Sequence, residues 1–369
     1  MTIRIFHVSD FHLNKKNLSD WNDFLKEAFI NFINANKGEV NFIVCTGDMV
    51  DKGGADFGGI KQGFEKFKES VILPIIDRTR IPIDQFILAP GNHDIYREAD
   101  PDYTRGGIRD IIKEKGTDKI NEYTSKLIKD KGEPSKRIEA YYEFTRDIYK
   151  DISNVTVSYL GAVYNYNVAD RHISFSSFNT VWNCCDDSDR DFGLAIGEPQ
   201  YLLCRRQMPE DAIKIAIMHH PLDWLIYEKQ SVQSWLRNDF DLLLMGHVHE
   251  NDTLLTKTPA GSMILNFAPS FTNDIRKPSL VYVNGFTMID YDVEEGRFDF
   301  QYERYDHKSR SYTLNHDYEE DGHFYAKLSE GTNDRLAQLM NDRMSYLKIQ
   351  RVPEINGSII PQNAQAINT

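Results

Sequence analysis

Five short, almost wholly apolar runs, each leading into a polar segment that carries aspartate, asparagine or histidine, constrain this chain more than any other feature. IRIFHV (3–8), NFIVC (41–45) and QFILA (85–89) read as strands buried in a sheet, and IKIAIM (213–218) and DLLLM (241–245) repeat the pattern late in the chain. Between the first two runs, Trp21, Leu25, Phe29 and Phe32 recur every three to four residues behind Ser19, which is expected to cap a helix. A second helix is expected near Gln230–Arg237, between the last two runs. Strand, helix, strand is the opening of an α/β sandwich. Alternating runs at 155–159, 172–178, 280–284 and 286–293 add strands with one polar face.

The chain has 369 residues, longer than the ~250–300 at which single cores tend to divide, so one large domain with additions or two domains are expected. Two segments read as additions. Residues 98–151 are rich in Lys, Glu, Asp and Tyr and are expected to form charged helices inserted after the third strand, as a cap over the site or as a solvated insert. Tyr141, Tyr142 and Phe144 there either stack on a base or hold the insert down. The core domain is expected to span 1–305. The extension 306–369 carries one amphipathic helix marked by Leu336, Leu339, Met340 and Leu347, then a flexible end that reads as a linker to a further domain or partner.

No stretch reaches the ~18 apolar residues of a membrane span, and Arg4 and Asp10 stand where a signal peptide would be apolar, so a cytoplasmic location is expected. Cys45, Cys184, Cys185 and Cys204 show no paired spacing and read as buried thiols. A surplus of 56 Asp and Glu over 43 Lys and Arg leaves a net charge of −13, which opposes a duplex-coating role. It does not exclude a phosphorylated substrate, because a metal ion can invert the field inside one cleft.

The chemistry-bearing residues stand where the strands stop. Asp10-Phe11-His12 follows the first, Gly47-Asp48 the second and Gly91-Asn92-His93-Asp94 the third. His219-His220-Pro221 and Gly246-His247-Val248-His249 follow the late pair. Ligands of open α/β sheets collect at these ends. Carboxylate, amide and imidazole donors together suit Mn, Fe, Zn, Co or Ni better than Ca or Mg, which prefer oxygen alone. Seven such donors exceed what one ion takes from protein, so two ions bridged by one carboxylate is the economical reading.

The series D-x-H, G-D, G-N-H-D, H and G-H-x-H, with IFHVSDFHL and GDMVDKG, resembles the calcineurin-like metallophosphoesterase superfamily over roughly residues 1–270. The resemblance implies a four-layer α/β/β/α sandwich of two mixed sheets flanked by helices. It implies one divalent metal ion, manganese by preference, on Asp10, His12, Asp48 and His249, and a second on Asp48, Asn92, His219 and His247. His219 rather than His220 is then the ligand of the doublet. His93 is expected to protonate the leaving group or stabilise the transition state, with Asp94 fixing its tautomer; the alternative is a hydrogen bond that merely orients the site.

The implied activity is hydrolysis of phosphate esters by a hydroxide bridging the two ions. Phosphoprotein phosphatases of the superfamily show GDxVDRG and GNHE where this chain has Lys52 and Asp94, which favours the phosphodiesterase, nucleotide-hydrolase and nuclease branches. With the acidic balance, the expected substrate is a nucleotide-type or other small phosphodiester. A nuclease acting on single-stranded or end-exposed nucleic acid is the alternative enzyme. A non-catalytic metal-binding scaffold is the alternative of another class, opposed by the complete ligand series and by His93.

Overall fold

Alternation of side chains along the apolar runs decides the layering. In the computed structural model, Ile215 and Ile217 belong to one hydrophobic cluster, whereas Ala216 and Met218 belong to another. Leu242 and Leu244 part from Leu243 and Met245 in the same way. A strand whose two faces enter different cores must be covered on both sides, which is why its sequence is apolar throughout. The structure describes residues 1–327 except 133–134, 169–170, 186–188, 250, 259–260, 273–282 and 318–320.

The strands in the first half of the chain are β1 (Thr2–Val8), β2 (Val40–Cys45), β3 (Phe86–Leu88), β4 (Val155–Val157), β5 (Gly161–Val168) and β6 (Arg171–Phe178). In the second half are β7 (Ile213–Ile217), β8 (Leu242–Met245), β9 (Asp252–Thr258), β10 (Gly261–Phe267), β11 (Gly285–Asp292), β12 (Arg297–Asp306), β13 (Ser311–Leu314) and β14 (His323–Lys327). Among the described residues they form two seven-stranded sheets. One runs β13-β12-β11-β1-β2-β3 with β14 also paired to β12; the other runs β4-β5-β6-β7-β8-β10-β9. The neighbours β1, β2 and β3 are parallel, as are β6, β7, β8 and β10, and the outer strands are antiparallel. The expected fold of two mixed sheets between helical layers is what the chain adopts.

The sheets meet through aromatic and polar contacts. The Phe42 ring lies 4.7 Å from Tyr166 and 4.9 Å from Phe175, and buried His7 contacts Asn266 Oδ1 at 2.6 Å and Thr46 Oγ1 at 3.1 Å. Burial pushes the His7 imidazole down to about 4, so it is a neutral link between sheets. Outside the first sheet, Phe29 of helix Lys26–Ala35 packs on Phe6, Phe271, Phe286 and Tyr312. Outside the second lie helices Glu198–Arg205 and Lys229–Asp239, the latter where a helix near Gln230–Arg237 was expected.

Two expectations change, and one alternative is resolved. Ser19 sits inside helix Lys15–Asp20, and Asn14 is its cap: the Asn14 side chain accepts from Lys16 and Asn17 N–H while the Asn17 side chain accepts from the Asn14 N–H in return. The boundary expected at 305 falls inside β12, because β13 and β14 continue the first sheet; the charge of that region hides the buried Tyr312 and Ala326. Helices Asp102–Lys115, Thr117–Asp130 and Glu139–Tyr149 occupy the inserted segment. The first two bury Ile108, Ile112, Ile120 and Leu127 in the second core, while Phe144 of the third stacks on Phe64 at 4.8 Å. Tyr141 and Phe144 thus hold the insert down.

Among the described residues no helix is long and apolar enough to cross a membrane. The strand expected at 280–284 lies largely, and Leu336, Leu339, Met340 and Leu347 lie wholly, outside the described residues. Because Ile217 is fully buried between the sheets, Ile217→Ala is expected to lower unfolding stability by about 2–5 kcal/mol, measured by urea denaturation.

Candidate metal centre

Five of the seven candidate donors leave their strands through a backbone turn that an ordinary residue avoids. Asp10, His12, Asp48, His247 and His249 all have positive φ, of 57°, 42°, 53°, 71° and 60°. Left-handed non-glycine residues cost on the order of 1–3 kcal/mol each and persist only where the surroundings hold them. Here the loops after β1 and β2 lock each other: the N–H groups of Asp10, His12 and Leu13 donate to the carbonyls of Gly47, Asp48 and Met49 at 3.0, 2.8 and 3.1 Å. The His247 N–H donates to Asp10 Oδ2 at 3.0 Å, which ties in the loop after β8. Gly91 is required by contact: a Cβ there would lie 2.1 Å from Asp48 Oδ1 and 2.2 Å from Asp48 N.

All seven expected donors converge. Asp10 Oδ1 stands 3.1 Å from His249 Nε2 and 3.4 Å from His12 Nε2, with the two imidazole nitrogens 3.4 Å apart. Asn92 Oδ1 lies 3.1 Å from both His219 Nε2 and His247 Nδ1, which are 3.2 Å from each other. Asp48 joins the halves, with Oδ2 at 3.6 Å from His12 Nε2 and 3.3 Å from His219 Nε2. His219 Nδ1–H donates to the Thr46 carbonyl at 2.8 Å, so its Nε2 lone pair points inward. Carboxylate, amide and imidazole acceptors crowded this closely fit divalent cations, because without positive charge between them their lone pairs would repel. Buried His220 turns Nδ1 to Thr180 Oγ1 at 2.8 Å, leaving His219 as the inward member of the doublet.

Charge balance inside the cluster follows. Burial opposes ionisation of Asp10 and Asp48, but contacts with His12, His249 and His219 hold both carboxyls well below the usual range. Burial likewise opposes charge on His12 and His219, yet Asp48 and Asp10 raise both to about 9. Protons therefore occupy, in the metal-free chain, the positions that cations would take. Burial and the charge of His219 push His247 down to about 4, so it offers a neutral imidazole.

Asp51, rather than Asp94, meets the His93 ring. Asp94 is fully buried and accepts from the N–H groups of Met49, Val50 and Gly91 at 3.2, 3.1 and 2.9 Å, so it braces the two loops that carry Asp48 and Asn92. Burial and the charge of Asp48 push it up to about 7 against those three donors. His93 instead meets Asp51, whose Oδ1 is 3.0 Å from Nδ1, and the His93 N–H donates to Asp48 Oδ1 at 2.8 Å. The signal for Asp51 was its place in GDMVDKG, three residues after Asp48; adjacency of Asp94 to His93 pointed the wrong way because neighbours on a tight turn diverge. Arg205 pairs with Glu210 and Asp239 at the far end of helix Glu198–Arg205, and Arg276 and Lys277 lie outside the described residues.

A family model for calcineurin-like phosphoesterases matches residues 3–251. Among solved structures, the chain is similar to a dimetal phosphatase from Danio rerio at 12% identity and TM-score 0.48, over 89% of this chain and 99% of that one. It is similar to GAP50, the anchor in the inner membrane complex of Plasmodium, at 12% identity and TM-score 0.47 over 93% and 94%. An NAD nucleotidase from Haemophilus influenzae gives 12% and 0.38 over 100% of this chain and 59% of that one. No curated protein matches the sequence.

Gly91→Ala is expected to displace Asp48 and weaken Mn²⁺ binding at least about 10-fold, read by calorimetry. The pH dependence has a definite sign. With His12 and His219 raised from 6.5 to about 9, their ion pairs stabilise the metal-free chain fully below pH 6.5, and this contribution is lost as pH rises through about 9. Cations compete with those protons, so the rise in Tm brought by saturating Mn²⁺ grows between pH 6.5 and 9. A pH-independent increment in a thermal melt would contradict the proton inventory.

Proposed function

The chain belongs to the calcineurin-like phosphoesterase family, and from that premise we propose that it hydrolyses phosphodiesters at a dinuclear metal centre. The observation that carries this reading is Asp48, whose carboxylate stands between two donor sets: Asp10, His12 and His249 on one side, Asn92, His219 and His247 on the other. Each set with Asp48 provides four donors for one ion, and the mixture of nitrogen and oxygen favours manganese. When bound, two such ions acidify water to make the nucleophile and neutralise the non-bridging oxygens of the phosphoryl group.

The chain's own residues do the rest. Asp94 and the interlocked loops keep the donors fixed, so little reorganisation accompanies charge development. Asp51 Oδ1 and the Lys52 N–H both meet His93 Nδ1, at 3.0 and 3.1 Å, which fixes the ring and leaves Nε2 of the imidazolium to carry a proton to the departing oxygen. Support for a diester over a monoester comes from charge. Lys52 stands where phosphoprotein phosphatases carry the arginine that grips phosphate in a bidentate fork. A diester carries one negative charge near phosphorus, whereas a monoester dianion calls for cations beyond the metals.

With Mn²⁺, bis(4-nitrophenyl) phosphate is expected to turn over faster than 4-nitrophenyl phosphate, and Asp48→Ala should lower kcat/KM by on the order of 10³-fold. Asp51→Asn should reduce kcat about 10–100-fold on a diester with an alkyl leaving group and less on the 4-nitrophenyl ester, whose departure needs no proton. Rapid monoester hydrolysis with inert diesters sinks the diester assignment; equal losses of Asp51→Asn on both leaving groups sink the acid role of His93.

A further inference from the structure

We infer that the partly exposed Trp224, with Val248 and Ile226, forms an apolar shelf beside the metal centre that receives a nucleobase on the non-leaving side of the phosphodiester. The inference rests on the diesterase reading above and adds the chemistry of the organic part of the substrate.

Among the described residues six large apolar side chains are more than a third exposed, and three of them, Tyr96, Ile226 and Val248, are on the loops that deliver the site. Val248 stands between His247 and His249, with 37% of its surface exposed. Its two neighbours have left-handed backbones, which turn both imidazoles inward and send the side chain between them outward. Packing does not require a β-branched apolar residue there, and a polar one would be better hydrated. Ile226, 46% exposed, follows the His219-His220-Pro221 turn on the adjacent loop. Exposed apolar side chains on the loops that carry the metal-site donors point to a binding surface rather than the scatter expected of a monomer's surface.

Trp224 gives the surface its shape. It closes the 3₁₀ turn Leu222–Trp224, with its N–H donating to the Pro221 carbonyl at 3.0 Å and its carbonyl accepting from the Leu194 N–H at 2.8 Å. Its indole stacks on the His220 ring, centroids 5.4 Å apart and planes 25° apart, and meets the His247 ring at 4.4 Å in a T arrangement. His220 is in turn anchored on Thr180. The second histidine of the doublet therefore supports the tryptophan, and the tryptophan touches a residue that faces the ions. An indole held this rigidly next to a phosphate-binding centre offers stacking to any flat ring attached to that phosphate, without selecting among bases. The chain's net charge of −13 opposes a long polyanion on the same shelf.

The test compares two esters with the same leaving group, the 4-nitrophenyl ester of thymidine 5′-phosphate and methyl 4-nitrophenyl phosphate, on the Mn²⁺-loaded full chain. Trp224→Ala should lower the ratio of kcat/KM for the thymidine ester over the methyl ester about 10–100-fold, mostly through KM. Trp224→Phe should keep the ratio within a few-fold of the parent, and surface Val248→Ser should lower it in the same direction by less. A ratio unchanged in Trp224→Ala, or lost equally in Trp224→Phe, overturns the shelf. If the parent hydrolyses neither diester, the diesterase reading has failed, and the shelf is judged by equilibrium binding. Thymidine 5′-phosphate, but not methyl phosphate, must then bind Trp224→Ala about 10–100-fold more weakly than the parent.

Discussion

The carboxylate of Asp48 is the point on which the rest of the site depends. It is buried, ionised and held on a left-handed backbone, with the Gly91 backbone pressed so closely against it that no side chain fits between. An ionised carboxylate in that position is tolerable only with positive charge beside it. In the metal-free chain that charge comes from His12 and His219, each raised to about 9. The same demand for positive charge is what fits the cluster to divalent cations, so the electrostatics of folding and of metal binding are one problem solved twice.

A second acid, Asp94, makes the arrangement rigid without touching what it serves. Three backbone N–H groups from the loops after β2 and β3 converge on it, and the loops after β1 and β2 are bonded to each other directly. Five left-handed donor residues are thereby over-determined by neighbours rather than by their own preferences. The division of labour separates a bracing carboxylate, a metal-facing carboxylate and, in Asp51, a carboxylate that orients His93.

Most of the layer plan was legible because burial on both faces leaves an apolar run that alternation cannot disguise, as at 213–218 and 241–245. That seven candidate donors would lie together was legible because each follows such a run within a few residues. What failed had local causes. Ser19 was read as a cap although Asn14, nearer the strand, has the Asn17 partner that completes a capping box. The boundary at 305 was misplaced because charged turns between β12, β13 and β14 outweigh two buried side chains in a composition count.

By itself the sequence determined which residue types stand at the ends of which strands, and hence that a cluster of nitrogen and oxygen donors would form where parallel strands end together. Only the tertiary structure decided which carboxylate does what. Asp51 and Asp94 are each within three residues of a site residue in the chain, and only the crossing of the loops after β2 and β3 sends one to His93 and the other to backbone amides. The contact of Trp224 with His247 likewise needs the loops after β7 and β8 side by side. Sequence separation carries no information about such contacts, because they are set by the register of strands that lie far apart along the chain.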